Sequence, residues 1–146
     1  MYKTILVPLD GSPRAESILP YVEKLARQSK PKVIFLNVLP LSESTKHTDA
    51  FHDLIDSFND RKEETTEYLA GVRQGFQDKG IDAISIIEYG AVVETIITVA
   101  QREDADLIAI ASHGRSGLSW VFYGSVSAGV LQRIDRPLLV IRSRNI

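Results

Sequence analysis

Three short groups of residues in this chain have types and spacings suited to chemistry. The first is Pro8-Leu9-Asp10-Gly11-Ser12-Pro13, where a carboxylate follows directly on an apolar run. The second is Ala111-Ser112-His113-Gly114-Arg115-Ser116-Gly117, and the third is Gly124-Ser125-Val126-Ser127. Gly114 and Gly117 let the backbone turn tightly and approach a ligand with no Cβ in the way. Gly124-Ser125 opens a helical stretch, and the free N–H groups and positive dipole end at a helix start attract an anion. Ser125 and Ser127 add hydroxyl donors, and Arg115 brings a positive charge to the same place. Together they read as a cradle for a polyphosphate, although glycines near a helix start also occur for purely structural reasons.

Other side chains carry competing readings. Asp10 at a strand end is a ligand contact, a turn residue shaping its loop, or a phosphoacceptor of the response-regulator kind. The last needs acidic neighbours, a further Asp after the third strand and a late Lys; here Leu9 precedes Asp10, the third strand ends Glu88-Tyr89-Gly90, and the late basic residue is Arg136. His113 is a general base or a plain hydrogen-bonding loop residue, with no relay partner visible in sequence. His47 and His52 are poorly spaced for one helical face, which speaks against a metal there. Trp120, Phe122 and Tyr123 either stack on a base or pack beneath the loop and against a partner subunit.

Positioning these groups requires an alternating chain of elements. Unbroken apolar runs at Thr4–Leu9, Val33–Leu39, Ala83–Ile87, Leu107–Ala111 and Leu138–Ile141 predict strands buried on both faces. Helical spacing lies between them. Ser12-Pro13 starts a helix with the stripe Ile18, Val22, Leu25 and Ala26. A long region from about Asp49 to Lys79 carries Phe51, Leu54, Ile55 and Phe58, then Leu69, Val72 and Phe76; the polar stretch Asn59–Thr66 between them is an exposed part of the same helix or a break in it. The charged run Asp60–Glu64 reads as a solvated helix face. Val93, Ile96, Ile97 and Ala100 mark a third helix, and Val126, Val130, Leu131 and Ile134 a fourth. Leu41–Thr48 reads as a surface loop. This order predicts one α/β domain over residues 1–146, an open parallel five-stranded sheet with helices on both faces. In such a sheet ligands bind beyond the carboxyl ends of the strands, which is where Asp10 and the two glycine-serine groups fall.

The bulk numbers narrow the function classes. No cysteine is present among 146 residues, which removes thiolate metal sites, disulfides and a cysteine nucleophile. A net charge of −2 supplies no positive excess for holding a nucleic-acid backbone. No apolar run approaches the roughly 18 residues that span a bilayer, and the start of the chain lacks a signal-peptide pattern. The expected location is the cytoplasm, with neither nucleic acid nor membrane as partner.

The spacing Ala111, two residues, Gly114, nine residues, Gly124-Ser125 resembles the nucleotide signature of the ATP-binding universal stress proteins: Gly, two residues, Gly, nine residues, Gly, then Ser or Thr. Lys3–Ser12 looks like that family's first strand and turn, and Arg136–Ile141 like its last strand. The family's fold is a five-stranded parallel sheet of the adenine nucleotide alpha hydrolase type, Rossmann-like in its layering. The resemblance implies ATP, or another adenine nucleotide, as the ligand, with adenine and ribose near Pro8, Leu9, Asp10, Val38 and Ala111. It implies phosphates at Gly114, Arg115, Gly124, Ser125 and Val126, and Asp10 beside the ribose or reaching Mg2+ through water. It also implies a homodimer through the last strand. Two positions depart from the pattern: Ala111 stands for the first Gly, which is harmless where the backbone is not in a Gly-only conformation, and Val92 stands where the family often has Pro. The expected function is a nucleotide-binding stress-response or regulatory protein with little or no hydrolysis. The alternatives are a slow ATPase or nucleotidyl-transferring enzyme, or a nucleotide-free dimeric interaction module.

Overall fold

The five apolar runs form the five strands, each within two residues of its expected ends. In the computed structural model they are β1 (Thr4–Pro8), β2 (Lys32–Leu39), β3 (Asp82–Tyr89), β4 (Leu107–His113) and β5 (Leu138–Ser143). The structure describes residues 1–40, 48–113 and 125–143, with side chains over 1–40, 60–112 and 125–143. The strands make one parallel sheet in the order β3-β2-β1-β4-β5. Period-two alternation splits their side chains between two cores. Ile5, Val7, Val33, Phe35 and Ala109 face α1 (Pro13–Glu16), α2 (Leu19–Ser29) and α3 (Thr48–Gln77). Leu6, Ile34, Leu36 and Ile108 face α4 (Val92–Arg102) and α5 (Ser125–Arg133). Phe35 and Phe76 meet edge to face at 5.0 Å between ring centroids, joining β2 to α3.

Three details differ from the sequence reading, and one alternative it left open is decided. The central strands are buried on both faces, but β3 and β5 are half-buried along most of their length. They are the sheet edges, with one neighbouring strand each. The stretch that starts at Ser12-Pro13 forms two helices rather than one, with the apolar stripe on α2 and its N-cap Ile18: Pro20 at the start of α2 has no N–H to continue the ladder, and residues 17–18 form a turn. Ile18, Val22 and Ala26 are buried as expected. The polar stretch 59–66 is no break, since α3 runs unbroken from Thr48 to Gln77. On α5, Leu131 is 51% exposed while Ser127 is buried, because the helix turns Ser127 and Val130 to the sheet and carries Leu131 past it. The expected loop at residues 41–47 and the side chains of His52, Phe51, Leu54, Ile55 and Phe58 lie outside the described residues.

Candidate functional site

The strand order reverses beside β1. The chain adds β2 and β3 on one side, then returns to place β4 and β5 on the other. The segment after β1 therefore leaves toward the α1/α2 face, and the helix after β4 covers the opposite face. A crevice opens between them at the carboxyl ends of β1 and β4, the position at which open parallel sheets bind ligands. Pro8, Leu9, Asp10 and Arg14 line it from the β1 side, Leu36 and Val38 from β2, and Ala111 and Ser112 from β4. Ser125, Val126 and Ser127, the first turn of α5, close the far wall, and Val92, Ile96 and Ile110 supply an apolar floor.

The turn after β1 is tightly specified. Leu9 N–H donates to the Leu36 carbonyl at 2.8 Å, and buried Asn37 Nδ2 donates to the Leu9 carbonyl at 2.7 Å. Gly11 takes φ +87°, a conformation open to glycine at no steric cost. Asp10 Oδ1 accepts from the Ser12 N–H at 2.9 Å and from Ser12 Oγ at 2.6 Å. Ser12 Oγ in turn accepts from Ala15 N–H at 3.1 Å, capping α1 as its sequence predicts. Arg14 Nη2 donates to Asp10 Oδ2 at 3.1 Å, with the Arg14 side chain only 19% exposed. Partial burial works to raise the Asp10 pKa, but the Ser12 hydroxyl and N–H and the Arg14 charge outweigh it and hold the carboxyl below its ordinary range. Asp10 therefore shapes its turn and presents a charge to the crevice at once. No second acid lines the crevice among the described residues, so the acidic cluster required of a phosphoacceptor site is missing there.

Ala111 resolves without strain. It lies inside β4, paired in register with Ile141, and its side chain packs on the α1/α2 core. A strand backbone suits any residue, so the methyl group in place of hydrogen costs nothing conformationally. Arg136, the late basic residue, serves the fold. Its Nη1 donates to the carbonyls of Ala100 at 3.0 Å and Ala105 at 2.8 Å, closing the corner between α4 and β4.

Seven of the ten expected site residues converge on this one crevice: Pro8, Leu9, Asp10, Val38, Ala111, Ser125 and Val126. Gly114, Arg115 and Gly124 lie outside the described residues, as do Trp120, Phe122, Tyr123 and the His113 side chain. Sequence reasoning missed Arg14, Ser112 as a wall residue, and the floor of Val92, Ile96 and Ile110. Arg14 had a signal, four residues after Asp10 and in the first turn opened by Ser12-Pro13. The floor had none, because its members look like any apolar helix stripe or strand.

A five-stranded parallel sheet with helices on both faces and a crevice at the carboxyl ends of β1 and β4 defines a single α/β domain of the doubly wound class. The model of the universal stress protein family matches residues 1–142, and the chain belongs to that family. It is 30% identical over 159 residues to the universal stress protein MJ0577 of Methanocaldococcus jannaschii, covering 99% of this chain and 98% of that protein. The solved structure of MJ0577 superposes with a TM-score of 0.80 at 28% identity, over 100% of this chain and 99% of the other. UspA from Lactobacillus plantarum has the same fold, with a TM-score of 0.79 at 24% identity over 97% and 98% of the two chains. So does a universal stress protein from Archaeoglobus fulgidus solved in complex with dAMP, with a TM-score of 0.67 at 23% identity over 96% and 98%.

Proposed function

We propose that this protein binds ATP in the crevice between β1 and β4, with Mg2+ carried on the nucleotide, and acts as a dimeric cytoplasmic regulator that holds the nucleotide rather than turning it over. The observation that carries this reading is the meeting, in one crevice, of an apolar floor, the Asp10–Arg14 pair and the α5 N-terminus. Val38 and the floor of Val92, Ile96 and Ile110 offer a flat apolar base somewhere dry to sit. Asp10 offers an acceptor to ribose hydroxyls. The first turn of α5 offers N–H groups and the Ser125 hydroxyl to phosphates. The dAMP complex of the Archaeoglobus relative supports the class of ligand.

The donor set suits magnesium only as a companion of the phosphates. Among the described residues no group of three or more acidic or histidine side chains could hold a metal ion, and Asp10 is the one carboxylate of the crevice. Mg2+ is commonly held by one carboxylate, waters and phosphate oxygens, and in that role it would screen phosphate charge. In this reading the dimer forms through β5, an edge strand with half-buried residues. The apolar groove of Tyr2, Tyr21, Leu25, Leu138 and Leu139 beside it favours that edge. No helix among the described residues is long and apolar enough to cross a membrane.

Calorimetric titration with Mg-ATP is the test. Affinity tighter than millimolar is expected, and it should vanish in Gly124→Val while the circular dichroism spectrum and unfolding temperature stay at their wild-type values. A wild-type protein indifferent to ATP up to millimolar concentration would overturn the reading.

A further inference from the structure

Ser112 is the second residue from the end of β4 and is 2% exposed, yet its Oγ has no hydrogen-bond partner among the described residues. Strand alternation places its side chain on the face of Ile108 and Ile110, toward α4 and α5. The residue lines the crevice between Ile110 on the floor and the Ser125–Ser127 turn of α5. Burying a hydroxyl without a partner costs stability, and alanine would fill the same place at no such cost. Among the described residues the hydroxyl has no structural use that offsets this. It caps no helix among the described residues, and Ser112 stands in register with Arg142 of β5.

We propose that Ser112 Oγ is a ligand-binding group, donating a hydrogen bond to the phosphate nearest the ribose of the bound nucleotide. This rests on the ATP-binding reading given above. The position favours the first phosphate because Ser112 stands at the strand end beneath the α5 N-terminus. A hydroxyl turns its hydrogen to suit the acceptor, and a bond from a buried donor to a charged acceptor is of the stronger kind. The consequence is selectivity: Ser112 favours a nucleotide over the nucleoside and does not distinguish among mono-, di- and triphosphates.

The experiment compares wild-type protein and Ser112→Ala for ATP, AMP and adenosine, by competition against a fluorescent ATP analogue, with thermal unfolding measured on both. Ser112→Ala is expected to weaken ATP and AMP by about tenfold each, to leave adenosine within twofold, and to unfold at the wild-type temperature or above. Equal loss for all three ligands, or no loss, overturns the proposal while leaving ATP binding intact. An unfolding temperature lowered by several degrees also overturns it, since the hydroxyl would then serve the fold. A wild-type protein that binds neither the analogue nor any of the three ligands removes the ATP-binding reading itself, and this inference with it.

Discussion

The most consequential pair in the crevice is Asp10 and Arg14. A bare carboxylate there would repel a polyphosphate, and Arg14 at 3.1 Å offsets its charge. Arg14→Gln is expected to weaken ATP by about tenfold while changing adenosine little, and to let the Asp10 carboxyl titrate closer to its ordinary range when followed by NMR. The pH dependence has a definite sign. Because folding lowers the Asp10 pKa, its contribution to stability is present above the unfolded value, about 4, and is lost as pH falls through the lower folded value. Asp10 is 56% exposed, so screening limits this contribution to under about 1 kcal/mol. In urea unfolding, Asp10→Asn should be the weaker protein at neutral pH and converge on wild type in acid. A gap that is constant with pH would show that the carboxylate's charge is not what stabilises the turn.

The helices position these groups through close packing. At Gly129, a Cβ would come within 2.8 Å of Val93 Cγ2 and 3.3 Å of Cγ1, so α5 crosses α4 with almost no space between them. Val93 is β-branched and stiff, with little freedom to give way. Gly129→Val is expected to destabilise the protein by about 1–3 kcal/mol in denaturant titrations. It should also tilt the first turn of α5 away from the crevice, with ATP affinity falling in parallel. If stability falls and affinity does not, the crossing supports the fold alone. On the opposite face, Tyr68 Oη donates to Glu16 Oε2 at 2.6 Å, tying α3 to the short α1 that carries Arg14. Burial first, and then the bond to Glu16, pushes the Tyr68 phenol up. The sequence showed a helix starting at Ser12, but not that Pro20 would cut it short or that α3 would hold the fragment in place.

In the molecule as a whole, the sheet has two edge strands, β3 and β5. Along β5, the half-exposed strand continues into the apolar groove with Tyr21, which is 47% exposed. A lysine on an edge strand blocks pairing with a second copy. Val140→Lys is therefore expected to convert the protein from dimer to monomer in sedimentation velocity, with helix and strand content unchanged. A wild-type monomer would place the dimer reading in error. A dimer that survives the substitution would move the interface off β5.

Much of this protein was legible in its residues taken in order. Apolar runs of strand length, separated by helical stripes, determined a parallel sheet, because local periodicity is a property of neighbouring positions. Asp10 and the Ser125 turn were visible as candidate site residues because glycine, serine and a strand-end carboxylate make poor core and so stand out. Tertiary structure alone decided the rest. Strand order determined that β1 and β4 are neighbours and that β3 and β5 are edges, and no local pattern encodes which strand lies beside which. That adjacency carries Asp10, Arg14 and the start of α5 from distant parts of the chain into one crevice, and it turns Ile96 and Ile110 from core residues into its floor. The candidate site read from glycines and serines thus gained an apolar wall only through the tertiary structure.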